Sequence, residues 1–140
     1  MDIKDNYDFS CWVIKYDPVR IPGRIYQKDS LKSIDGKTVP LLWCHEHANM
    51  DSVLGTALLE NRSEGVYMYG TLADTQYKEM IISMIQNRGS VSSSPYINQV
   101  KRTGDFIEYG VIREVSLVPH RIDPREWYYP VLKRDEQCDE

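Results

Sequence analysis

The 140 residues suffice for one compact domain with a buried core and fall short of two ordinary ones. Hydrophobic residues make up 41% and charged residues 27%, with 8 Gly and 7 Pro dispersed along the chain, which excludes disordered, collagen-like and low-complexity classes. Lys and Arg number 17 against 21 Asp and Glu, a net charge of −4 that lacks the positive field driving phosphate-backbone binding, so no nucleic-acid partner is expected.

The apolar runs are short, and Met1 to Asp5 carries no basic segment followed by an apolar one, so neither a membrane span nor secretion is expected. Cys11, Cys44 and Cys138 are odd in number and share no CxxC spacing, so neither a disulfide framework nor structural zinc is implied. A reducing cytosol fits.

In chain order, Phe9 to Tyr16 reads as a strand, and the Pro and Gly residues between Asp17 and Arg24 force a loop. Gln27 to Ile34 is expected to make about two helical turns. Asp35-Gly36 turns the chain into a strand over Thr38 to Trp43. Val53 to Glu60 and Gly65 to Leu72 form a hairpin joined by Asn61 to Glu64. Over Asp74 to Arg88 the period changes: Tyr77, Met80, Ile81, Met84 and Ile85 share one helical face, and Gly89 stands where a left-handed cap belongs. Ser90 to Val100, Phe106 to Tyr109 and Val111 to Val118 read as strands, with a turn at Thr103 to Asp105.

These elements predict an α+β fold, mainly antiparallel: a single-domain β-barrel or sandwich of about seven strands with one long helix. The domain is expected to span 1–130. Residues 131–140 form a charged, flexible tail, since Lys133 to Glu140 carries six charges in eight residues.

Three places hold reactive side chains. In Leu41 to His47, a strand continued to its end puts Leu41, Trp43, His45 and His47 on one face, with imidazole at the edge of an apolar shelf. Such a histidine can act as a base, serve as a hydrogen-bonded strand end, or bind metal through the His-x-His pair of His45 and His47. Past the helix, Ser90, Ser92 and Ser94 face one way and Ser93 the other, so parity limits which hydroxyl meets a given base. A polar edge is the plainer reading. In Gly110 to Val118, both Arg113 and Glu114 have apolar neighbours, so one of them needs a partner. A cross-strand ion pair or an imidazole oriented by the carboxylate satisfies it.

The order of these pieces resembles the prohead, or head maturation, proteases of tailed bacteriophages. The resemblance rests on Pro40 to His45, Gly55 with the strand pair through Leu72, the helix ending at Gly89, Ser94 to Asn98, and Ile112 to Val118. It spans about Phe9 to Pro124, and the Leu-Leu-Trp-x-His and Arg-Glu-Val-Ser-Leu-Val pieces are its most distinctive parts. It implies a fold related to the herpesvirus assembly proteases and a catalytic set of His45, Ser94 and Glu114, with no cofactor and no metal. The implied activity is a serine endopeptidase that cleaves scaffold, the major capsid protein and itself, in the host cytoplasm within the assembling prohead. A homodimer or higher homo-oligomer is a candidate assembly. The spacing from His45 to Gly55 departs from the family pattern, leaving His47 as an alternative base. The serine signature departs too, leaving Ser92 and Ser93 as alternative nucleophiles, and His120 is an alternative third member. Two other readings stand beside the protease: an inactive capsid-assembly module, and a protein binding metal through His45 and His47.

Overall fold

The computed structural model describes residues 6–19, 23–46, 53–87, 90–119 and 129–133. Among these the chain forms β1 (Phe9–Lys15), β2 (Ile25–Tyr26), β3 (Thr38–Trp43), β4 (Val53–Arg62), β5 (Gly65–Leu72), α1 (Lys78–Gln86), β6 (Val91–Thr103), β7 (Phe106–Pro119) and β8 (Val131–Leu132). Alternation drives the strands: Val66, Met68 and Leu72 of β5 turn inward, while Tyr67, Tyr69 and Thr71 are only half-buried.

Antiparallel pairing links β3, β4, β5 and β1 in that order, with β8 added to β1 at Phe9 and Ser10. The strand that organises the rest is β7. One of its edges pairs antiparallel with β6 along nearly its whole length; the other takes β2 in parallel at Phe106 and Ile107 and β3 in parallel at Val115 to Leu117. The α+β, mainly antiparallel expectation holds, since only the short β2 and β3 pairings on β7 are parallel; the sheet is nonetheless mixed, and among the described residues its ladders do not close into the expected barrel. Its margins still meet: Ser93 Oγ on β6 donates to the Trp12 carbonyl on β1 at 2.9 Å, a side-chain bridge where a closed barrel would carry a ladder.

Several elements depart from expectation for visible reasons. Gln27 to Ile34 yields turns and a three-residue 3₁₀ segment, Lys32–Ile34, because Asp29 takes a left-handed φ of 61° that an α-helix does not accommodate. The first hairpin strand runs on to Arg62 while the second spans Gly65–Leu72 as expected, so the connection shrinks to Ser63 and Glu64. The strands around Gly110 are one continuous β7, and Val131–Leu132, assigned to the tail, pair with β1. The helix begins at Lys78 rather than Asp74, and its buried face narrows to Ile81 and Ile85, leaving Met80 exposed. The expected cap at Gly89 lies outside the described residues.

The core is continuous, from Phe9 and Val13 through Leu41, Leu59 and Met68 to Val115 and Leu117, with the helix residues Ile81 and Ile85 against it. Cys11 lies within this core, and burial pushes its thiol up to about 12, opposed by the neighbouring Ser93 hydroxyl.

Two measurements test this packing. A Cβ at Gly55 would stand 1.9 Å from the Thr71 carbonyl oxygen, so Gly55→Ala must displace backbone. Such overpacking costs about 1–3 kcal/mol. The urea midpoint is expected to fall accordingly, and an unchanged midpoint contradicts the close strand contact. In alkali, the unfolded chain releases the Cys11 proton near 9.0 and the folded chain only near 12, so stability is intact below the first value and is lost as pH climbs between them. Cys11→Ala is expected to flatten that decline in urea titrations; an identical slope refutes a protonated, buried thiol.

Candidate active site

At the end of β3 the chain leaves strand geometry. Cys44 and His45 both adopt left-handed φ values, 53° and 59°, which for residues with a Cβ cost roughly 1–2 kcal/mol each. Three hydrogen bonds hold the turn: Cys44 N–H to the Leu117 carbonyl at 3.1 Å, Glu46 N–H to the Trp43 carbonyl at 3.2 Å, and His45 N–H to Ser116 Oγ at 2.9 Å. The expected strand face therefore does not continue from Trp43 to His45, because the turn, not strand alternation, aims the His45 ring. His47 lies outside the described residues.

The ring meets two side chains delivered by paired strands. Ser94 on β6 lies opposite Ser116 on β7, and Glu114 is two residues before Ser116 on the same face. His45 Nδ1 stands 2.6 Å from Glu114 Oε1, and Nε2 stands 3.0 Å from Ser94 Oγ. A carboxylate only accepts, so Nδ1 carries the proton. Nε2 is then left to accept from the serine hydroxyl. Glu114 is 3% exposed, while the His45 side chain is 32% exposed, so the charge lies inside and the imidazole reaches toward solvent.

The choice between Arg113 and Glu114 is thereby resolved. Arg113 is exposed and its Nε donates to Asn98 Oδ1 at 2.8 Å; Glu114 turns inward to the histidine. The serine cluster separates as parity requires. Ser93 is fully buried and bonded to β1, while Ser92 is fully buried with no hydrogen-bond partner for its hydroxyl among the described residues. Neither is bonded to His45, and Ser94 is. His120 lies outside the described residues.

Burial and the neighbouring Glu46 carboxylate push the thiol of Cys44, next to the histidine, up from its ordinary value. Both ring nitrogens of His45 are engaged, and the described residues contain no group of three side chains suited to a metal.

Sequence reasoning gave Ser116 no task. The structure does: wholly buried, it receives the His45 N–H and thereby secures the turn that presents the ring. The available signal was a hydroxyl two residues from the carboxylate, on the same side of the strand and flanked by Val115 and Leu117.

The chain matches no protein-family model, no curated protein and no solved structure.

Ser116→Ala removes the acceptor for the His45 amide, a loss of about 1–3 kcal/mol for a buried donor left unpaired. Hydrogen exchange at the His45 amide is expected to accelerate about tenfold or more, with Ser116→Thr restoring protection. Exchange unchanged in Ser116→Ala contradicts the clamp.

Proposed function

We propose that this chain is a serine endopeptidase of the prohead protease kind. The observation carrying that reading is the continuous hydrogen-bonded line from Ser94 through His45 to Glu114, assembled from the paired strands β6 and β7 and the turn that follows β3. A hydroxyl becomes a useful nucleophile when a base within hydrogen-bond reach removes its proton, and the base works best when a third group fixes its tautomer. Each requirement is met by a named atom.

In this reading Ser94 Oγ attacks a peptide carbonyl as its proton passes to His45 Nε2. The Glu114 carboxylate stabilises the imidazolium, which then protonates the leaving amine. Water, activated by the same nitrogen, releases the acyl group and restores Ser94. The following residue is Pro95, which has no backbone N–H, so the oxyanion donor is not supplied there. Backbone N–H groups near Arg121 are another candidate for that donor, in a segment outside the described residues.

The substrates follow from the resemblance: phage scaffold, the major capsid protein and this chain itself, within the assembling prohead. The strand margins bridged from Ser93 to Trp12 support a curled sheet, and its kinship with the herpesvirus assembly proteases follows from the resemblance alone. Ser94→Ala is expected to abolish processing of co-expressed capsid protein, at least about a thousandfold in rate, while leaving the thermal transition nearly unchanged. Cleavage that persists in Ser94→Ala contradicts the assignment.

A further inference from the structure

Beside Ser94 the surface opens into a cavity of about 440 Å³ lined by Arg24, Tyr26, Pro95, Tyr96, Ile97, Val100, Arg102 and Ile107. Its near wall is formed by the two residues that follow Ser94. The β6–β7 ladder is regular from Ser94 to Tyr96, so Tyr96 shares the face of the serine hydroxyl and stands across from Glu114. The cavity therefore begins one residue along β6 from the serine, although Ser94, His45 and Glu114 do not themselves line it.

Its lining has two characters. Tyr26 and Ile107 are buried and make an apolar floor, while Tyr96 and Val100 remain 46% and 42% exposed. Large apolar side chains left open beside a cavity are what a bound chain covers. The other character is cationic. Arg102 donates through Nε and one terminal nitrogen to the carbonyls of Gly104 and Gly23, neutral acceptors that fix the guanidinium without cancelling its charge. Burial pushes the Tyr26 hydroxyl up against the opposing pull of the Arg24 and Arg102 charges. The two cations therefore bear on one point of the floor, and neither joins an ion pair among the described residues. In a chain of net charge −4, two guanidiniums at one cavity with no ion-pair partner among the described residues are a local reversal of sign.

We propose that this cavity is a substrate subsite that takes a carboxylate side chain, Glu or Asp, located within a few residues of the scissile bond. The proposal deepens the protease reading and rests on it for the word substrate. The planar fork of Arg suits a carboxylate, and the apolar walls accept the methylene portion of the same residue while desolvating the pair. A nucleic-acid backbone is the other polyanion that arginines take, but it has no use for a small, partly apolar cavity alongside a serine hydroxyl.

The test separates binding from turnover. Fluorescein-labelled octapeptides from a pooled library, made in pairs that differ only by Glu or Gln at one position, are titrated against Ser94→Ala protein. The proposal expects at least one position where Glu binds about tenfold tighter, with the preference falling toward one in Arg24→Gln and in Arg102→Ala, each combined with Ser94→Ala. Equal affinity within every pair overturns it, as does a preference that survives both arginine substitutions. Displacement of the bound Glu peptide by a random single-stranded decanucleotide at lower concentration than by unlabelled peptide also overturns it, in favour of nucleic acid. The same pairs are then offered to wild-type protein. Ser94-dependent cleavage that favours Glu at the same position supports both readings, and intact Glu preference in binding with no Ser94-dependent cleavage overturns the protease reading alone.

Discussion

A carboxylate 3% exposed in the middle of a strand is the demand around which the rest of the site is arranged. Leaving such a group without its partner costs about 3–5 kcal/mol, a large part of the net stability of a domain this size. The chain meets the demand with the His45 ring at 2.6 Å, and that ring reaches Glu114 through a turn in which two side-chain-bearing residues accept left-handed backbone angles. The strain of the turn is offset by its hydrogen bonds to β7, among them the one to Ser116. Pairing the buried charge and orienting the imidazole are therefore one structural act.

The strand β7 makes this possible because it is bordered on both sides. Its pairing with β6 sets Ser94 across from Ser116, and its parallel pairing with β3 brings the Trp43 end of that strand beside Leu117, one residue before the turn. Every member of the hydrogen-bonded line is thus referenced to one strand. A one-residue slip of β6 against β7 would turn Ser94 away and bring Ser93 toward the histidine. The Ser93 bond to the Trp12 carbonyl and the burial of Val91 oppose that slip, so the register that closes the core also selects the hydroxyl.

Much of this was legible in the chain because it depends on local pattern. The period-two runs located β1, β3 and β5 to within a residue, and the parity argument separated Ser94 from Ser93 and Glu114 from Arg113. What depended on distant pairing was not legible. The two-residue strands β2 and β8 exist only because β7 and β1 offer them an edge, and parallel pairing on β7 leaves no mark on the residues that form it. The site was misread in one respect for the same reason: alternation assumed that β3 ran on through His45, whereas three bonds to and around β7 turn the chain there. Ser116 escaped notice because its partner is a backbone amide 71 residues away.

The central claim is that the Ser94 hydroxyl is activated by His45 in the folded chain. It is tested most directly by treating native protein with a fluorophosphonate probe and locating the adduct by mass spectrometry. The account predicts a single adduct on Ser94, lost on denaturation and lost in His45→Gln, which keeps a donor for Glu114 but removes the base. No adduct, an adduct on Ser92 or Ser93, or equal labelling of the His45→Gln protein would contradict it.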